Sequence, residues 1–470
     1  MLFSSLVFIT CYLPIVLLLY YTVFRFNRTA QNVFLLIVSL GFYAWGEPKF
    51  VFIMISSIIM NWIFGLCVLK YPKGSFGAKI VITVMLIYNI SIIFVFKYLM
   101  FTMKNIEHLF GFNWDIPKII LPIGISFFTF QAISYVIDVY RGHGQAQKNP
   151  LNVGLYISFF PQLIAGPIVR YETIADQIMN RKESFEAVSQ GICRFLMGLA
   201  KKVLLANNFA LVADKAFNMA PDHLSMGMAW LGAICYTLQI YYDFSGYSDM
   251  AIGLGRMFGF EFMENFNYPY ISKSTTEFWR RWHISLGTWF RDYVYFPLGG
   301  SRVNSTTRLY FNLFVVWSLT GLWHGANWTF ICWGLLYFIS ISTEKSLGID
   351  KMKTHKVALH IYTMLLVILG WVLFRAETIT DALLYMKTMF ILGVGGVIDP
   401  NVIVCTSEYF VFLIFGILFS MPIAKEVKRR KISRTRVAKV LYVIVIMGLF
   451  LACISYLVKG AYNPFIYFNF

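Results

Sequence analysis

The sequence predicts an all-α polytopic membrane protein with about eleven transmembrane helices and additional re-entrant or interfacial elements. Three observations predict this. Of 470 residues, 58% are hydrophobic and only 13% charged, about half the charged share of a soluble domain. Aromatic residues make up 18% of the chain, and tryptophan and tyrosine favour membrane interfaces. The apolar runs are long and continuous rather than alternating, which excludes a β-barrel.

A helix needs about 20 residues to cross the hydrocarbon core. Runs that meet or approach this are 4–24, 31–46, 50–69, 79–99, 118–139, 189–213, 228–258, 308–341, 357–375, 408–424 and 437–458. The first run has no basic segment before it, is followed by Arg25 and Arg28, and shows no small-residue cleavage site. It therefore reads as a retained helix and not a signal peptide. The run 31–46 is short, and 308–341 is too long for one simple span and reads as one long element or two. Residues 151–170 are interrupted by Pro161, Gly166 and Pro167. Proline removes an amide donor, and such a backbone survives at membrane depth only under protein cover or beside a water-filled cavity. A broken, re-entrant, cavity-lining element is expected there.

Charge sets the orientation. Arg25 and Arg28 follow the first run, and Lys70, Lys73 and Lys79 follow the third. The densest cluster is Lys425, Lys428, Arg429, Arg430, Lys431, Arg434, Arg436 and Lys439. One arrangement places all of them in the cytoplasm, with the N-terminus and the C-terminal tail outside. The net charge of +17 then reflects cytoplasmic loops and lipid headgroups, and no nucleic-acid module is visible. The seven cysteines form no CxxC pair and sit mostly in apolar runs, which argues against disulfides or a metal site. Nothing marks a separate soluble domain, so residues 1–470 read as one transmembrane domain.

Four constellations carry chemistry. In Thr320-Gly321-Leu322-Trp323-His324-Gly325-Ala326-Asn327-Trp328, the two glycines share a helix face and admit a neighbouring backbone. Thr320 and Asn327 fall on the face of His324, where either would hold the imidazole in one tautomer. An ionisable residue at this depth is a general-base candidate; a structural histidine satisfied by a neighbour is the alternative. In Ser274 to Arg302, Ser274 and Glu277 form a capping box. Arg280, Arg281, Arg291 and Arg302 alternate there with Trp279, Trp282, Trp289, Phe290, Tyr293 and Tyr295. That is interfacial amphipathic composition, suited to lipid headgroups or, through guanidinium forks, to a phosphate-bearing donor. His283 in this stretch is a second site histidine or a structural one. Asp243 and Asp249 lie six residues apart in an apolar run, off a common helix face; Asp243 shares its face with Tyr247. Hydrogen-bonded anchoring suits both carboxylates better than an acid–base couple. The tail Asn463-Pro464-Phe465-Ile466-Tyr467-Phe468-Asn469-Phe470 is an interfacial belt or a segment that folds back into the outer mouth of a cavity.

The ordered set Tyr242-Asp243-Phe244-Ser245-Gly246-Tyr247, Phe278-Trp279-Arg280-Arg281-Trp282-His283, Phe290-Arg291-Asp292-Tyr293-Val294-Tyr295 and Gly321-Leu322-Trp323-His324-Gly325 resembles the membrane-bound O-acyltransferase (MBOAT) family. The likeness is to its bacterial alginate and peptidoglycan O-acetyltransferase branch, and it extends to Gly41-Phe42-Tyr43-Ala44-Trp45-Gly46 and Pro464-Phe465-Ile466-Tyr467-Phe468. The resemblance implies helices around a central tunnel, catalysis by His324 and a supporting role for His283. It implies acetyl-CoA as a cytoplasmic donor substrate with no bound cofactor, and an extracytoplasmic polysaccharide acceptor in the envelope of a bacterium, reached directly or through a partner of the SGNH acetyltransferase/esterase type. Tyr467 is the candidate to relay the acetyl group, because phenolate leaves more readily than an alkoxide. Two other readings stand beside this one. D-alanyl transfer to teichoic acid is the alternative chemistry. A glycan or acyl transporter is the alternative class, although no second half with a matching broken helix is present.

Overall fold

Helices account for all the regular structure among the described residues. The computed structural model describes residues 1–470 apart from 165, 221, 222, 350, 351, 353, 392–394, 430–434, 461, 465 and 467–470, and apart from the side chains of 424, 428 and 429. Arg430, Lys431 and Arg434 of the basic cluster therefore lie outside the described residues. Contacts divide the chain into two compact units, residues 1–195 with 248–263, and residues 196–247 with 264–470.

The first unit begins with α1 (Phe8–Thr22), α2 (Arg28–Gly46), α3 (Val51–Val68) and α4 (Phe76–Phe110). Asn27 and Ser75 cap α2 and α4 by accepting the amides of Ala30 and Ala78. The run expected at 79–99 is thus the middle of a longer helix. The run expected from 118 begins only at Ile125, as α5 (Ile125–Arg141), because Gly124 takes a left-handed conformation at φ 74° that glycine adopts without penalty. The proline-interrupted stretch is broken as expected. α6 (Pro150–Ser158) stops where Phe159 leaves helical geometry, and a single turn, Phe160–Leu163, follows. Protein covers this stretch: Phe160 packs on Phe42 and Phe258, and Phe159 on Phe260.

α7 (Phe185–Phe217) and α8 (Met226–Met257) each contribute residues to both units. The second unit continues with α9 (Thr275–Arg281), α10 (Ile284–Phe290), α11 (Thr306–His324) and α12 (Trp328–Leu347). After these come α13 (Lys356–Arg375), α14 (Ile379–Phe390), α15 (Pro400–Phe419) and α16 (Arg436–Val458). The long run 308–341 is two helices. α15 starts eight residues before the run expected at 408, with Asp399 as its cap and Pro400 in its first turn. Among the described residues seven helices, α2, α3, α4, α7, α13, α15 and α16, are long and apolar enough to cross a membrane, so the count of about eleven is not confirmed. α8, α11 and α12 have the length, but charged and polar residues such as Asp243, Arg308 and Glu344 interrupt them.

α11 and α12 lie backbone to backbone. A methyl group on Gly321 would stand 2.5 Å from the carbonyl oxygen of Phe330, and one on Gly334 would stand 2.5 Å from that of Trp317. The expected role of Gly321 in admitting a second backbone is what the hairpin uses. Gly325 differs: it sits in the extended turn after α11, facing the Phe330 ring. Gly321→Ala should force the hairpin apart and lower stability by about 1–3 kcal/mol. Thermal unfolding in detergent would show a depressed midpoint, and an unchanged midpoint would contradict the packing argument.

Candidate active site

The site is built from the stretch that follows α8. Glu344 of α12, fully buried, receives the Thr275 amide, the Thr276 amide (2.9 Å) and the Thr276 hydroxyl (2.8 Å). A carboxylate at a helix N-terminus satisfies open amides and complements the dipole, so Glu344 pins the start of α9. Ser274 caps Glu277 as expected, at 3.0 Å, while the Glu277 carboxylate accepts the amide of Lys273, one residue before the cap. The aromatic residues of this stretch turn inward. Trp282, Trp289, Phe290 and Tyr293 are buried, and Trp279 packs against Trp317, Trp333 and Tyr337. The interfacial belt expected of them is instead core, because their rings fill the unit while the arginines between them face out.

His283 follows α9 in a left-handed conformation, φ 44°, which is strained for a residue with a side chain. Asn265 holds this turn. Its backbone oxygen accepts the Ile284 amide at 3.0 Å, and its Oδ1 accepts the Ser285 amide at 3.1 Å and the Ser285 hydroxyl at 2.9 Å. The same Oδ1 lies 3.1 Å from Nδ1 of His283. An oxygen that accepts from a backbone amide requires Nδ1 to be the donor. The network thereby assigns the proton to Nδ1 and leaves Nε2 as an acceptor, buried and without a hydrogen-bond partner among the described residues. Burial holds the His283 imidazole well below its ordinary pKa, and His324 pushes it the same way. The ring meets Phe244 edge to face at 4.5 Å and Trp323 at 5.9 Å.

His324 is the last residue of α11 and is 6% exposed. Its ring is surrounded by Trp323 at 4.9 Å, Trp333 at 4.9 Å and Phe374 at 5.1 Å. Trp323 thus touches both imidazoles. The helix ends here, so Asn327 and Trp328 are not on the face of His324. Asn327 caps α12 through Thr329 and donates to the Glu377 carbonyl, and the Thr320 hydroxyl donates to the Val316 carbonyl. A pocket of about 450 Å³ lies beside this group; Phe330 and Phe374 line it together with Gln239, Thr329, Arg375 and Tyr462.

The remaining expected residues fall as follows. Asp243 is buried in an ion pair with Lys202 at 2.7 Å, and Asp249 pairs with Arg194 at 2.6 Å, so both carboxylates are anchors. Tyr247 is buried one turn beyond Asp243. Arg281 pairs with Glu277 at 2.8 Å, and Arg291 with Asp292 at 2.8 Å. Arg280 and Arg302 are exposed. Tyr467 lies outside the described residues. Asp138, His143 and Glu172 bring ligand-type atoms within 4.8 Å of one another, but Arg170 already occupies Glu172 at 2.7 Å and the Glu172 amide occupies Asp138. Asn265, Glu344 and Lys202 escape sequence reasoning. Asn265 and Glu344 act on residues 18 and 69 positions away, so no local spacing marks them. Lys202 carried a legible signal, a charge inside the apolar run 189–213.

Residues 146–348 match the family model of MBOAT, the membrane-bound O-acyltransferase family. The chain is 38% identical to the probable alginate O-acetylase AlgI of Azotobacter vinelandii over the full length of both proteins. It is 35% identical to the peptidoglycan O-acetyltransferase of Helicobacter pylori, over 84% of this chain and 81% of that one. It is 31% identical to the teichoic acid D-alanyltransferase of Bacillus subtilis, over 46% of this chain and 57% of that one.

A neutral, buried His283 has a consequence for stability. The unfolded chain takes up a proton at this residue near pH 6.5 and the folded chain does not, so stability falls as pH drops below that value, by at most about 1.4 kcal/mol per unit. The unfolding midpoint in detergent should decline from pH 7 to pH 5.5, and His283→Gln should flatten that decline. An identical pH slope in the two proteins would show that His283 is not held neutral.

Proposed function

Because the chain belongs to the membrane-bound O-acyltransferase family, we propose that it is the acetyltransferase that moves acetyl groups from cytoplasmic acetyl-CoA through a membrane tunnel for O-acetylation of an extracytoplasmic cell-surface polysaccharide. The observation that carries this reading is the pair of buried imidazoles, His283 and His324, that both pack against Trp323. Full-length likeness is to proteins named for O-acetylation, whereas the D-alanyl likeness covers 46% of this chain; that favours acetyl as the group moved. Residues 1–470 act together as one transmembrane catalytic domain in the cytoplasmic membrane of a bacterium.

In this mechanism His324 accepts the proton of the attacking hydroxyl. The oxygen adds to the thioester carbonyl, and collapse of the tetrahedral adduct expels the CoA thiolate, which takes the proton from His324. The products are an acetate ester and free CoA. His283 supports the step as a neutral base oriented by Asn265. The aromatic walls around His324 exclude water, which limits hydrolysis of the thioester. Arg280, Arg281, Arg291 and Arg302 receive the donor's phosphates at the cytoplasmic side; Arg280 and Arg302 are the more available pair, since Arg281 and Arg291 each hold a carboxylate. In the relay form of this step the attacking hydroxyl is that of Tyr467, and a hydroxyl of an SGNH-type partner or of the polysaccharide then attacks the aryl acetate, forms the new ester and returns the Tyr467 phenol with the proton it gives up.

His324→Ala should leave a folded, membrane-inserted protein whose acetyl transfer in proteoliposomes is lower by about 10²–10⁴-fold. Near wild-type transfer by that variant would overturn the mechanism.

A further inference from the structure

Beyond α16 the chain turns at Gly460 (φ 69°), and the described residues 462–464 and 466 pass from exposed Tyr462 to buried Ile466 and make four polar contacts with the second unit. The Tyr462 hydroxyl donates to Asp214 at 2.8 Å, and Asn207 donates to the Asn463 side chain at 3.2 Å. Lys202 donates to the Pro464 carbonyl, and the Ile466 amide donates to Asp243 at 3.0 Å. Ile466 itself is 7% exposed and belongs to the core that contains Phe330, Trp333 and Phe374. Of the two sequence readings of the tail, the described residues 463, 464 and 466 take the one that folds back.

The Lys202–Asp243 pair is the unusual part of this arrangement. Its side chains are only 3% and 2% exposed. Such a pair contributes little to stability that well-packed apolar residues would not. What it supplies is a donor and an acceptor, deep in apolar surroundings, for the carbonyl of Pro464 and the amide of Ile466. Buried peptide groups need such partners. The segment it seats is also a wall. Tyr462, Pro464 and Ile466 line the pocket of about 450 Å³, which Phe374, the ring that packs on His324, also lines. Across that pocket, Oε1 of Gln239 and the hydroxyl of Thr329 are buried without a hydrogen-bond partner among the described residues. Those groups suit a hydroxyl-bearing acceptor.

We propose that Lys202 and Asp243 are positioning residues that seat Pro464 and Ile466, which with Tyr462 form one wall of the acceptor pocket separated from His324 by the Phe374 ring. The proposal rests on the acetyl-transfer reading above, and it makes the tail part of the catalytic unit instead of an interfacial anchor.

The test uses the full-length protein carrying Ile466→Cys as a reporter, labelled with a bulky water-soluble maleimide and compared with the parent protein. In an otherwise unaltered chain the reporter should be protected. Lys202→Met with Asp243→Leu removes both charges together with the donor to Pro464 and the acceptor of the Ile466 amide. It should expose the reporter with the thermal midpoint preserved and lower kcat on the order of tenfold or more, while KM for acetyl-CoA stays within about twofold. Should that variant fail to fold, Ile466→Pro deletes only the amide that Asp243 accepts, and lowered kcat at unchanged donor KM is expected again. Continued protection of the reporter in the folded neutral-pair variant overturns the proposal, as does full transfer with the segment released or, where Ile466→Pro stands in, full transfer by that variant. A wild-type protein that transfers no acetyl group would instead overturn the functional reading, because reporter protection is measured independently of turnover.

Discussion

The contact between the backbones of α11 and α12 is the constraint on which the candidate site depends. At Gly321 and Gly334 the two helices leave no room for a side chain on either partner. That closeness is compatible with a connection of only three residues, 325–327, between the helices. His324 consequently ends α11 against Trp333 of α12 and Phe374 of α13. A wider hairpin would open a gap around the imidazole and admit water. Close helix packing at small residues is a general device inside membranes, where the hydrophobic effect gives helices no reason to associate. Here it also fixes the position of His324.

The second requirement is that each polar group sunk among aromatic rings find a defined partner. Glu344 meets it for the open end of α9, Asn265 for the strained turn at His283, and Lys202 with Asp243 for the chain at 464–466. These partners do more than satisfy hydrogen bonds. Asn265 determines which nitrogen of His283 carries the proton, and so which nitrogen is able to accept one. Glu344 fixes where α9 begins, and therefore where His283 comes to rest eight residues after Thr275, the first helical residue. Acyl transfer in an apolar interior favours a neutral, oriented imidazole, and for His283 that orientation comes from a hydrogen bond made 18 positions away in the sequence.

Much of this was legible in the sequence, for identifiable reasons. Hydropathy located most of the long helices because apolar runs in a membrane must be helical. The proline-interrupted stretch at 151–170 was readable because proline acts locally. His324 stood out as an ionisable side chain between glycines. The errors share a cause: periodicity assumes that a helix continues. It placed Asn327 and Trp328 on the face of His324, although α11 stops there, and it extended a span back to 118, although Gly124 starts α5 later. Composition also misassigned Trp279 and Trp282, since a mixture of arginine and tryptophan describes an interfacial helix and a core helix with an outer charged face equally well. Partners such as Asn265 and Glu344 were invisible because long-range hydrogen bonds leave no spacing in the chain.

The central claim is that this chain supplies the acetyl groups of a surface polysaccharide through His324. It is tested most directly in cells, by deleting the chromosomal copy and restoring either the unaltered protein or His324→Gln at equal membrane abundance. Mass spectrometry of the surface polysaccharides should show O-acetyl groups lost on deletion, restored by the unaltered protein and absent with His324→Gln. Equal O-acetyl content with the two restored proteins would contradict the account.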